Sequence, residues 1–203
     1  MSEKAPEHLE IADELIAEGH SVSRETLPDD MPRWMAETIL AIDIFSRWVG
    51  HVVCWLVVPM CLAMVYEVIA RKFFVAPTMW AYDISRFLYG SMFTLGAAYA
   101  LSKGVHIRAD FIYRNWSPRT QARVDLILYL LFYFPGMVVF MWMSIDYAWE
   151  SWERGERGMD TAWMPYMGPI KSALPVGILF LLIQGVSEVL KAAYASNRNR
   201  WPF

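Results

Sequence analysis

Few residues of this chain could do chemistry, and most of those are charges set at the ends of apolar runs. Asp83 and Arg86 stand three apart at the head of one such run, so on a helix they share a face and can pair. A charge at membrane depth is costly unless paired or watered, which makes the pair a candidate ion site. The preferred reading is a structural ion pair that fixes its helix against another chain or a lipid phosphate. Glu67, Asp125, Asp146, Glu150 and Glu188 fall within a turn or two of a run's end, where water or headgroups reach them, and none makes a proton pathway alone. His51 and His106 would have to face each other at similar depth to hold a haem. One lies at a run's end and the other in a basic loop, which suits capping or interfacial hydrogen bonding. Cys54 and Cys61 share one run, about 10 Å apart along a helix. That is too far for a disulfide, and no metal-ligand or redox spacing accompanies them. No catalytic, cofactor-binding or metal-binding residue is expected in this chain.

The elements that position these residues are read from hydropathy. Of the 203 residues, 56% are hydrophobic and 15% aromatic, an excess that a soluble core of this size could not hide. The reading is an all-α integral membrane protein with four transmembrane helices, at residues 51–70, 82–101, 124–149 and 170–190, plus interfacial amphipathic segments. Each run has roughly the twenty residues needed to cross the hydrocarbon. Residues 32–47 mix Trp34, Ile39 and Phe45 with Arg33, Glu37, Asp43 and Arg47, the profile of a helix that lies along or enters the interface and runs on into the first span. Ser117 and Pro118 suit the cap and first position of the third helix, and Pro135 with Gly136 predicts a kink within it. Gly90, Ser91, Gly96, Ala97 and Ala98 give the second span a small-residue face that lets another helix approach closely.

Charge sets the orientation. Lys103, Arg108, Arg114, Arg119 and Arg123 crowd the loop between spans two and three; Arg33 and Arg47 precede span one; Lys191, Arg198 and Arg200 follow span four. Against these stand Arg71, Lys72, Arg154, Arg157 and Lys171. Both termini are therefore expected in the cytoplasm. Residues 1–31 form an acidic cytoplasmic tail, residues 32–195 the membrane domain and residues 196–203 a short cytoplasmic tail. The acidic start lacks the basic n-region of a cleaved signal peptide and disfavours nucleic-acid binding. Trp48, Trp80, Tyr82, Trp116, Trp149, Trp152, Trp163 and Tyr166 gather at the span ends, at headgroup level. The loop over residues 150–169 is the longest outward-facing segment and the best candidate for touching a soluble partner.

Several of these features resemble the small membrane subunit, the DctQ-type permease, of tripartite ATP-independent periplasmic (TRAP) transporters. They are Arg71 after the first span, Pro77, Trp80, Asp83 and Arg86 in PTMWAYDISR, then LGAAYALSKGVHIRADF from Leu95 to Phe111 with His106 and Asp110, and LPVG from Leu174 to Gly177. The resemblance covers about residues 45–195. The family commonly shows Glu where this chain has Asp83, one methylene shorter.

The resemblance implies a non-catalytic subunit of the bacterial inner membrane, packed beside a large polytopic transport subunit that holds sodium and substrate. A periplasmic substrate-binding protein would deliver the solute, an organic acid. Trp80, Asp83, Arg86, Gly96, Ala97, His106 and Asp110 would then be contacts to that subunit or to membrane lipids. Two rivals remain at this point: the membrane anchor of a respiratory redox enzyme, and an autonomous small channel or exporter. The first lacks a facing histidine pair, and the second lacks the paired broken helices of a transport core.

Overall fold

The computed structural model describes residues 28, 30–103, 116–198 and 201–202. The elements are α1 (Arg33–Cys54), α2 (Val57–Phe73), α3 (Ala81–Ser102), α4 (Pro118–Leu128), a π-helical turn (Tyr129–Tyr133), α5 (Phe134–Glu153) and α6 (Gly168–Arg198). Helix is the form these apolar runs must take away from water, because it satisfies every backbone N–H and C=O within the segment. Two of the expected runs, residues 82–101 and 170–190, fall within single helices, α3 and α6, whereas residues 51–70 and 124–149 lie along helical stretches that are interrupted.

The interfacial segment does run on into the first span. α1 and α2 form one 41-residue stretch, Arg33–Phe73, interrupted only at Trp55 and Leu56. The cause is Pro59, which has no N–H to offer the Trp55 carbonyl four residues back. Val58 takes that carbonyl instead at 3.1 Å, and Trp55 and Leu56 bond back only three residues, to Val52 and Val53. The sequence reading missed this break although Pro59 signals it.

Ser117 caps α4, its side chain accepting from the Thr120 N–H, with Pro118 at the first helical position. The expected disturbance near Pro135 takes the form of the π turn just before it, where the Phe134 N–H reaches the Tyr129 carbonyl five residues back. Widening the turn accommodates the missing donor without breaking the helix.

Among the described residues, three stretches are long and apolar enough to cross a membrane: Arg33–Phe73, Pro118–Glu153 and Gly168–Arg198. α3 has comparable length, 22 residues, but Asp83, Arg86 and its hydroxyl-bearing and glycine residues dilute its apolar character. α3 packs against α1, α2 and α6, and α6 packs against α1, α3, α4 and α5. Small residues set the spacing: Ala81, Ala98, Ala122, Ala148, Ala192 and Ala195 are buried. At Gly177 a Cβ would fall 2.6 Å from the Thr94 carbonyl oxygen, so only glycine permits α3 and α6 to meet there. One end of the bundle carries the turn after α2 and the loop before α6. The other joins the start of α1 to the end of α6 through Met31, Ile39 and Tyr194.

Candidate functional site

At the end of the bundle that carries the two loops, polar side chains close on one another. Glu67, near the end of α2, accepts from the Thr78 N–H at 2.8 Å, from the Thr78 hydroxyl and from the Arg71 guanidinium. This clamp folds the turn back, Trp80 stacks on Tyr66 with ring centroids 5.7 Å apart, and α3 begins at Ala81. Asp83 is fully buried. It accepts from Arg86 at 3.3 Å, as the three-residue spacing predicted, and from the Thr161 hydroxyl. Arg86 also donates to Asp160.

Asp160 and Thr161 belong to the loop that the sequence offered as the best candidate for touching a soluble partner, and the loop has a defined shape. Arg157 and Tyr166 pair across it as an antiparallel bridge. Gly158 N–H donates to the Pro165 carbonyl at 2.8 Å, and Met167 N–H to the Glu156 carbonyl at 3.0 Å. The Arg157 guanidinium sits 4.4 Å from the Tyr166 ring centre. Lys171, at the head of α6, donates to Glu156 and lies over the Tyr147 ring at 4.0 Å. That ammonium hydrogen bond, first among its causes, holds the Glu156 carboxyl below its ordinary value. Asp83 and Arg86 thus fasten their helix to the chain's own loop. Nothing in the local sequence pairs residues so far apart.

A second cluster lies toward the other end, between α1 and α6. Asp43, Ser46, Gln184, Ser187, Glu188 and Lys191 are all buried. Lys191 Nζ lies 2.8 Å from Asp43 and 2.9 Å from Glu188. Gln184 Nε2 donates to Asp43 at 2.9 Å, Ser187 to Asp43 at 2.8 Å, and Ser46 to Gln184 at 2.7 Å. Tyr133, swung inward by the π turn, donates to the Leu181 carbonyl at 2.7 Å and covers Gly185. The sequence reading assigned Glu188 to the span end within reach of headgroups and did not connect it with Asp43. The signal was available: positions 184, 187, 188 and 191 share one helical face.

Among the other sequence candidates, Gly96 points toward Val53 of α1, where an added Cβ would lie 3.8 Å away. Ala97 is half-buried on the same helix. His51 Nδ1 donates to the Arg47 carbonyl at 2.7 Å, the hydrogen-bonding role expected of it. His106 and Asp110 lie outside the described residues. Chemically, both clusters are networks of mutual satisfaction in which carboxylates meet guanidinium, ammonium, amide and hydroxyl donors of the same chain.

The family described as tripartite ATP-independent periplasmic transporters, DctQ component, matches residues 60–194, about two-thirds of the chain. The chain belongs to the DctQ family. No curated protein matches it. As a DctQ protein it is a membrane-embedded small subunit of a TRAP transporter, a system in which the DctQ component works with a large membrane subunit and a periplasmic binding protein. The match begins within α2 and ends within α6, so it takes in the whole cluster around Asp83. It leaves out α1, and with it Asp43 and Ser46.

Proposed function

We propose that this DctQ protein is a non-catalytic brace, a multi-pass inner-membrane subunit with four spans and both termini cytoplasmic. It enlarges the fixed body against which a large transport subunit moves during sodium-coupled uptake of an organic acid. α3 is the fourth span: it is long enough to cross, and its packing in the bundle buries its one carboxylate, Asp83. Sodium and solute are held by the large subunit, and the loop from Arg154 to Met167 faces the periplasm, where the binding protein delivers its cargo.

The observation that carries this reading is the closure of both charge clusters within the chain, helix to helix and helix to loop. Charges satisfied in this way fix geometry and leave little with which to grip a passing solute. The test is to tag the chain, solubilise native membranes gently and identify by mass spectrometry what co-purifies in stoichiometric amount. A large polytopic protein is expected. A flavin, iron-sulfur or haem subunit in its place would overturn the proposal, as would transport by this chain alone in liposomes.

A further inference from the structure

α3 leaves one stripe uncovered. Tyr82, Tyr89 and Phe93 are 59%, 57% and 73% exposed, and with Arg86 they recur at helical spacing along one face. Ala81, Asp83, Ala98 and Leu101 on the same helix are buried. The stripe is continuous: Arg86 lies 5.7 Å from the Tyr82 ring centre, and the Tyr89 and Phe93 rings are 6.3 Å apart.

The depth of Tyr89 is what matters. With α3 crossing the membrane as proposed, it stands two turns inside the helix, about 12 Å along the axis from its first residue, in a hydrocarbon layer roughly 30 Å thick. Its hydroxyl makes no hydrogen bond among the described residues. Lipid tails contain no acceptor, and a bare hydroxyl among them is costly. The other open faces contrast with it. α2 presents Val57, Val58, Leu62, Val65, Val68 and Ile69, with Tyr66 stacked on Trp80 beside the loop, and α5 presents Val138, Val139, Phe140, Met143 and Ile145, with Trp142 bonded to Asp146 and Tyr147 under Lys171. The top of the α3 stripe differs again, for there two carboxylates, Asp83 and Asp160, meet one guanidinium, and the Asp160 side chain is 56% exposed.

We infer that the Tyr82–Arg86–Tyr89–Phe93 stripe of α3 is the face on which the large transport subunit packs, with the Tyr89 hydroxyl donating to an acceptor on one of its helices. This rests on the reading of the chain as a transporter's small subunit. The test replaces Tyr89 or Phe93 in the full complex with a photo-crosslinking phenylalanine, with Leu62 and Val139 as controls. Crosslinks to a large polytopic protein are expected from 89 and 93 and not from 62 or 139. Tyr89→Phe, which keeps the ring, should weaken association about three-fold, the worth of one interhelical hydrogen bond in a membrane. Lipid adducts alone, or crosslinks to a second copy of this chain, overturn the inference if the large subunit still co-purifies. Failure of any polytopic protein to co-purify sinks the underlying functional reading as well.

Discussion

Val75 holds a φ of 52°, a left-handed conformation that a β-branched residue adopts only under constraint. The constraint comes from both sides. The Phe74 and Ala76 N–H groups both bond the Ala70 carbonyl to end α2, and Glu67 clamps Thr78 three residues further on. Since Val75 is 84% exposed, Val75→Gly loses little packing and should raise stability by about 1 kcal/mol, read as a higher unfolding midpoint in detergent. A lower midpoint would mean that its side chain has a partner that the isolated chain lacks. Glu156 gives a residue-scale prediction in pH. Its carboxyl is held below the ordinary value of 4.5 by the Lys171 ammonium. The folded loop therefore prefers the ionised form: the tether contributes in full above that value and is lost as pH falls through the lowered one. Hydrogen-exchange protection of residues 154–167, relative to the intrinsic rate at each pH, should stay high at pH 6 and fall on acidification below 4.5, and Glu156→Gln should flatten the dependence. The Asp83–Arg86 pair was legible in the sequence because three-residue spacing is local. Asp160 and Thr161 were not, because a long loop's return path is fixed by backbone pairing that leaves little compositional trace.

The helices themselves were the most legible elements, since runs of apolar residues admit few other structures in a membrane. Their interruptions were less so. Pro135 announces a disturbance but not its form, which here is a π turn that aims Tyr133 at Gly185 and the Leu181 carbonyl. The small-residue face of α3 was also visible in advance, yet sequence could not say that Gly96 would meet Val53 of the same chain. Two glycines separate packing from propensity. At Gly177 a Cβ would strike the Thr94 backbone, which cannot step aside, whereas at Gly136 nothing lies within 4 Å. Gly177→Ala should force α3 and α6 apart and cost about 1–3 kcal/mol. Gly136→Ala should be neutral or stabilising by up to about 1 kcal/mol. Thermal unfolding of the two variants side by side tests this, and equal effects would refute the packing argument.

For the molecule as a whole, the two polar clusters sit toward opposite ends of the bundle. Lys191 is the centre of one, facing Asp43 on α1 and Glu188 on its own helix. Lys191→Met would leave two carboxylates buried without their cation, and breaking such a pair costs roughly 3–5 kcal/mol. The expected result is early release of α1 from α6, seen as increased proteolysis near the start of α1 and a lowered unfolding midpoint. Adding Asp43→Asn should recover part of the loss. If the single variant is as stable as the parent, the cluster does not hold the bundle together.

Helix α6 is fastened near its first turn by Lys171 to Glu156 and by Ser172 to Trp152, and near its last by Asp43 and by Arg119, which donates to the Ser196 and Asn197 carbonyls. In mechanical terms it is a beam built in at both supports. Such a beam deflects far less under a sideways load than a cantilever of equal length. A partner that pushes on the middle of this bundle would therefore meet a wall, and the recoil would pass to the supports.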